Sequence, residues 1–182
     1  EVNDVTYIPD DNFEQFLINE GYDDILDDYV LSTNIKDIES LTLQNTLIED
    51  LTGIEGFTKL WRFIMNNNKL TSLDLSKTQI INLQILNNPE LVQVNLPPNC
   101  TAIIFQKTGI TTLDVSLSPE AGTLYVNNSP LESITGLDKM TELINLEFSN
   151  DENNDNYGVL KGLDISKNTR LETLNIVSQK NL

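Results

Sequence analysis

Histidine is absent from this 182-residue chain, cysteine and tryptophan occur once each, and Lys and Arg together number 11 against 28 Asp and Glu. Each scarcity closes a class of chemistry. Without His there is no Ser-His or Cys-His nucleophile pair and no imidazole ligand for zinc. A single cysteine, Cys100, allows no internal disulfide. The net charge of −17 opposes binding to nucleic acid and to anionic membrane surfaces, which carry the same sign. No apolar run approaches the roughly 20 residues of a membrane-spanning helix. The chain starts at Glu1 rather than Met, and we read it as the mature form of an exported protein.

What is abundant is Leu and Ile, at a fixed spacing. Leu70-Thr-Ser-Leu73-Asp-Leu75-Ser, Ile110-Thr-Thr-Leu113-Asp-Val115-Ser and Leu160-Lys-Gly-Leu163-Asp-Ile165-Ser show it most clearly. The middle apolar positions fall at Leu41, Phe63, Leu73, Leu83, Val94, Ile103, Leu113, Leu124, Ile134, Leu146, Leu163 and Leu174. Steps of about ten residues are too short for a coil that rises, turns and returns. Taken in pairs they give coils of 20 to 22 residues and one of 28. A repeat of this kind implies a solenoid whose units pack on their neighbours.

Two half-coils therefore alternate. Leu41-Thr-Leu43, Phe63-Ile-Met65, Leu83-Gln-Ile85, Ile103-Ile-Phe105, Leu124-Tyr-Val126, Leu146-Glu-Phe148 and Leu174-Asn-Ile176 read as strands of one parallel sheet, apolar residues inward by the period-two rule. Leu73–Leu75, Val94–Leu96, Leu113–Val115 and Leu163–Ile165 line the opposite wall as short extended segments or turns. Leu51–Phe57 and Leu131–Leu137 read instead as helical turns. Three residues beyond each strand stands a polar side chain: Thr46, Asn68, Asn88, Thr108, Ser129, Asp151 and Gln179. Such a column satisfies backbone groups that lose ladder partners where the chain turns, at about 1–3 kcal/mol for each group otherwise left unpaired.

In this pattern the chain resembles the leucine-rich-repeat family, and more closely the internalin-like proteins of bacterial cell surfaces. The motifs that carry the likeness are Asn68-Lys-Leu70-Thr-Ser-Leu73-Asp-Leu75-Ser-Lys77, Leu51-Thr-Gly-Ile54 and the leader Ile8-Pro-Asp-Asp-Asn-Phe13-Glu-Gln-Phe-Leu17-Ile. The resemblance spans essentially the whole chain. It implies a fold that is α/β by family convention and mostly β in content: a right-handed leucine-rich-repeat solenoid with one parallel sheet and an N-terminal helical cap. It also implies a non-catalytic surface or secreted module that binds a protein or glycan through the exposed sheet face. The alternative is a structural spacer or assembly module acting through an uncapped C-terminal edge.

The expected organisation is an acidic helical cap over residues 1–36 and a solenoid over 37–182, of about six and a half coils with an insertion at 150–158. Residues 1–35 hold ten carboxylates and neither Lys nor Arg. Within them a helix over residues 10–21 is expected, capped by Asp10 or Asp11, with Asp11 and Glu14 at capping-box spacing. Phe13, Phe16 and Leu17 form its apolar stripe, Gly21 suits its C-terminal end, and Ile35 and Ile38 lie beneath.

Candidate sites are few. Cys100 occupies an apolar coil position and reads as core. Asp74, Asp114 and Asp164 recur at one repeat position and read as architecture. Asp151, Asn153 and Asp155 match the start of a calcium loop, with the Tyr157 carbonyl as a further ligand, and suggest a weak calcium site. That loop has Asn156 where Gly is usual and Gly162 where Glu is usual. A second acidic cluster, Asp23, Asp24, Asp27 and Asp28, fits no standard loop and reads as a solvated turn. The outward positions of the sheet are the best candidate for recognition, and Trp61, Arg62, Ile64, Gln84, Leu86, Ile104, Tyr125, Asn145 and Glu147 are its binding residues. That face carries one basic and one acidic side chain in a strongly acidic protein.

Overall fold

The computed structural model describes residues 4–151 and 160–177. The chain opens with β1 (Val5–Tyr7), α1 (Asp11–Asn19), β2 (Tyr29–Leu31) and the single turn α2 (Ser32–Ile35). Then come β3 (Ser40–Gln44), β4 (Arg62–Asn66), β5 (Ser72–Asp74), β6 (Asn82–Asn88), β7 (Gln93–Asn95) and β8 (Ala102–Thr108). The last strands are β9 (Thr112–Asp114), β10 (Thr123–Asn127), β11 (Ser133–Thr135), β12 (Asn145–Ser149) and β13 (Thr173–Val177). No helix among the described residues is long and apolar enough to cross a membrane.

β3, β4, β6, β8, β10, β12 and β13 form one parallel sheet of seven strands in chain order, which is the wall of a β-rich leucine-rich-repeat solenoid. The register joins equivalent positions of successive coils, as in Leu41↔Phe63, Phe63↔Leu83, Leu83↔Ile103 and Ile103↔Leu124. Their side chains fill one continuous core, running from Ile8 and Phe13 to Leu160. The opposite wall holds two parallel pairs, β5 with β7 and β9 with β11. Leu51–Phe57 does contain a 3₁₀ turn at Ile54–Gly56. Leu131–Leu137 departs from expectation: Ser133–Thr135 is strand, and the 3₁₀ turn comes after it at Leu137–Lys139. Pairing with β9 favours the extended form there.

The chain leaves the sheet through a left-handed residue: Asn45, Asn67, Asn87, Lys107 and Asn128 have φ between 50° and 57°. Asparagine tolerates this region better than most side chains, so its recurrence has a backbone cause. The next residue turns inward as the polar ladder. Asn68 is buried; its Nδ2 donates to the Leu43 carbonyl at 3.1 Å, and its Oδ1 accepts from Ile48 N at 3.2 Å and Thr46 Oγ1 at 2.7 Å. Asn88 accepts from Asn68 N at 2.9 Å and donates to the Leu86 carbonyl at 2.7 Å. Thr108 and Ser129 continue the column with hydroxyls 2.9 Å apart.

At the next coil the ladder shifts by one residue. Asn150 is buried and Asp151 is exposed, the reverse of expectation. A carboxylate has no proton to donate to buried carbonyls, and burying its charge is costly. Gln179 lies outside the described residues. A second inward polar column, on the opposite wall, was not anticipated. Thr78 donates to the Leu75 carbonyl at 2.8 Å, Ser118 to Pro97 at 2.9 Å, and Asn168 to Leu137 and Met140 at 2.9 and 2.8 Å. Thr78, Ser118 and Asn168 stand three residues beyond Leu75, Val115 and Ile165, the offset already seen on the sheet wall.

The N-terminal end is closed by α1. Asp10 is the N-cap, its Oδ1 accepting from Asn12 N and Phe13 N at 2.9 Å each. Its Oδ2 accepts from Glu49 N and Asp50 N at 2.7 and 2.9 Å, which ties the cap to the first coil. The helix ends in a Schellman pattern: Tyr22 N donates to Leu17 O and Gly21 N to Ile18 O, with Gly21 at φ +80°. The apolar stripe is seated as expected, Phe13 stacking on Phe57 at a ring-centroid distance of 5.9 Å. β1 and β2 make an antiparallel pair in the same cap, a shielding element that the sequence did not announce. Gly53, at φ +97°, lies so close to β1 that a Cβ would collide with the Tyr7 carbonyl. At the other end Leu174 keeps its inward register opposite Leu146 but is 47% exposed. It is not a core residue, because no described strand lies beyond it.

Candidate functional site

The outward face of the seven-stranded sheet is built by alternation. One row, held in register strand to strand, is Thr42, Ile64, Gln84, Ile104, Tyr125, Glu147 and Asn175. Below it run Arg62, Asn82, Ala102, Thr123 and Asn145, and above it Asn66, Leu86, Gln106 and Asn127. Strand neighbours flank these side chains, so Arg62, Ile64, Gln84, Leu86, Ile104, Tyr125, Asn145 and Glu147 are all partly exposed rather than free. Eight of the nine expected binding residues therefore share one face.

Trp61 stands just ahead of β4 and is 42% exposed. The row ahead of the strands is joined by backbone hydrogen bonds, Ile81 N to Trp61 O at 2.9 Å and Thr101 N to Ile81 O at 2.8 Å. Ile81, exposed beside Trp61, belongs to the same row, and sequence reasoning overlooked it. The signal was present in its position, one residue ahead of its strand like Trp61. At the other end of the sheet the polar side chains are mutually held. Asn127 Nδ2 donates to Glu147 Oε1 at 2.8 Å, and Ser149 N donates to Asn127 Oδ1 at 2.9 Å.

The carboxylates of the opposite wall behave differently. Asp74, Asp114 and Asp164 each accept from the backbone N–H two residues on, at Ser76, Ser116 and Ser166, at 2.9 Å. The Ser76 hydroxyl and backbone hold the Asp74 carboxyl below the ordinary carboxylate value, and the Ser116 and Ser166 backbone and hydroxyl do the same for Asp114 and Asp164. These are turn-forming acceptors, found in every second coil, with Asn95 and Thr135 at the same position in the coils between. Cys100 is fully buried against the Ile81 and Ala102 carbonyls, and burial pushes its thiol up to about 11. It is therefore a protonated core side chain at neutral pH.

Of the expected calcium loop, Asn153, Asp155 and Tyr157 lie outside the described residues. Asp151 is exposed, and its backbone N–H donates to Asn128 Oδ1 at 2.7 Å. The other acidic cluster needs correction. Asp24, Asp27 and Asp28 are exposed, yet the turn is anchored rather than merely solvated, since Asp27 N and Tyr29 N both donate to the buried Glu14 Oε1, at 2.9 and 3.1 Å. Glu14 therefore does not reach back to complete a capping box with Asp11. Burial raises the Asp23 carboxyl above its ordinary value, against a hydrogen bond from the Asp24 backbone and with the charges of Asp24 and Asp27 adding to the rise.

No protein-family model matches the chain, and no curated protein is similar to it. Solved structures similar to it include the functional domain of InlJ from Listeria monocytogenes, which includes a cysteine ladder. That likeness has 20% identity and a TM-score of 0.40 over 97% of this chain and 48% of the other, so this chain spans about half the neighbour's length. A second is an internalin, inlF, also from Listeria monocytogenes, at 15% identity and a TM-score of 0.34 over 93% of this chain and 76% of the other.

Proposed function

We propose that this is a non-catalytic recognition module of an exported, surface or secreted bacterial protein, binding a protein or glycan through the outward face of its seven-stranded sheet. The observation that carries the reading is the row from Thr42 to Asn175. It presents Ile64, Ile104 and Tyr125 among amides, with Glu147 its one charge, in a chain of net charge −17. Stacked strands hold such side chains at about 4.8 Å intervals, so contact orders little that is not already ordered. The absence of His and the separate turn roles of Asp74, Asp114 and Asp164 support a role without catalysis. The Asp151, Asn153 and Asp155 loop remains a weak calcium site proposed on spacing alone.

A triple substitution, Ile64→Ala, Ile104→Ala and Tyr125→Ala, tests the face. A screen of wild type against proteins and glycans supplies the ligand. The triple variant should then melt as a cooperative unit and bind at least about tenfold more weakly, the loss of one well-placed apolar anchor or more. Undiminished binding by the folded variant rejects this surface. A second reading, assembly through the β13 edge, is favoured by the exposure of Leu174 (47%) and Val177 (40%). Light scattering would show a concentration-dependent dimer that Leu174→Glu abolishes; a monomer at all concentrations removes this reading.

A further inference from the structure

Glu14 is the one carboxylate among the described residues that is fully buried. It sits on α1, in a segment of 35 residues with no Lys or Arg. Its Oε1 is saturated by the Asp27 and Tyr29 backbone N–H groups. Its Oε2 is equally buried and has no hydrogen-bond partner. One carboxylate oxygen each from Asp11, Glu14 and Asp28 lie within 4.8 Å of one another. Asp11 and Asp28 are exposed, and they come from different elements, the first turn of the helix and the acidic turn before β2.

A carboxylate with a buried, unpaired oxygen beside two others is strongly unfavourable unless it takes up a proton or a positive charge joins them. No side chain in the segment can supply one. Oxygens bound to the same calcium ion at about 2.4 Å are at most about 4.8 Å apart, so these three can share one ion. The donor set is all oxygen, with no imidazole in the chain and its one thiol in the core, which selects a hard cation over zinc or copper. Two exposed, solvated Asp side chains suit the irregular, water-completed sphere of calcium better than the strict octahedron of magnesium. We propose that Asp11, Glu14 and Asp28 form a calcium site that clamps the cap helix to the acidic turn. It is separate from the loop at 151–155.

The test uses the full chain and calcium alone, read by titration calorimetry and by thermal melts in millimolar calcium against chelator. Wild type should bind one ion at the cap and melt higher in calcium. Asp11→Asn with Asp28→Asn, both at exposed positions, should weaken that binding at least tenfold and remove the calcium-dependent rise. In chelator this variant should melt no lower than wild type, because two repelling charges are gone. Glu14→Gln should also lose the ion, and if it fails to fold the double variant still decides. Asp151→Asn with Asp155→Asn should retain the cap's binding and its rise. The proposal is overturned if wild type melts identically with calcium and chelator. It is also overturned if the Asp11, Asp28 variant keeps the rise, or if the Asp151, Asp155 variant alone loses it.

Discussion

The two walls of the solenoid are written in the same Leu-x-x-Leu-x-Leu spacing, yet one carries a seven-stranded sheet and the other two pairs of three-residue strands. The difference lies in the polar residues set among and after the leucines. On the sheet wall the strand runs on to a left-handed residue, Asn67 or Asn87 for example, and only then turns. On the other wall β5 and β9 end at an Asp whose side chain captures the N–H two residues ahead, as Asp74 does with Ser76, while their partners β7 and β11 end just as early at Asn95 and Thr135. The leucine spacing alone therefore does not set strand length. Both walls then bury a polar side chain at the same offset, but Asn68 serves four neighbours where Ser118 serves one carbonyl.

That contrast can be broken at the ladders first. Asn68→Ala leaves the Leu43 and Asn66 carbonyls, Ile48 N and the Thr46 hydroxyl to find other partners, and should cost more than 3 kcal/mol at about 1–3 kcal/mol for each buried group left unpaired. Ser118→Ala, orphaning the Pro97 carbonyl alone, should cost about 1–2 kcal/mol. Urea unfolding of both variants checks the order; equal costs would mean the two columns are equivalent after all.

Acid should weaken the second wall selectively. The Asp74, Asp114 and Asp164 carboxyls are held below their ordinary value in the folded chain. Their contribution is therefore complete above the unfolded carboxylate value, near pH 4, and is lost as pH falls through the lower folded values. Replacing all three by Asn keeps an acceptor for the turn and removes the titration. The variant should lose less stability than wild type between pH 5 and pH 2, measured by unfolding at fixed pH. A parallel decline in both proteins would assign the acid sensitivity elsewhere.

The smallest effect sharpens the sheet wall. Lys107 is the one member of the left-handed series that is not asparagine. A side chain of this kind pays roughly 1–2 kcal/mol for left-handed backbone, and Asn less. Lys107→Asn should therefore stabilise by about 0.5–1 kcal/mol, seen as a small rise in melting temperature.

The leucine spacing made the coils, their register and the inward side chains legible, because those properties depend on residues a fixed distance apart. Ile64, Ile104 and Tyr125 could be placed in one row for that reason. Other features depended on contacts with no such period. Val5–Tyr7 is too short to announce a strand until Tyr29–Leu31 meets it. Glu14 gains its role from backbone groups 13 and 15 residues away in the chain. The exchange of Asp151 for Asn150 rests on donor chemistry that could have been read, since a carboxylate in that column has nothing to give.

The in-register sheet also says how such a chain can be lengthened or shortened. Leu83 pairs with Ile103 as Phe63 pairs with Leu83 and Ile103 with Leu124, the same register one coil apart. Each strand closes a loop of about 20 residues to reach its partner, so every addition to the stack carries nearly the same entropy. Such a chain folds by extension from a formed coil, and its length becomes a quantity that duplication or loss of one coil can change while the junction stays the same.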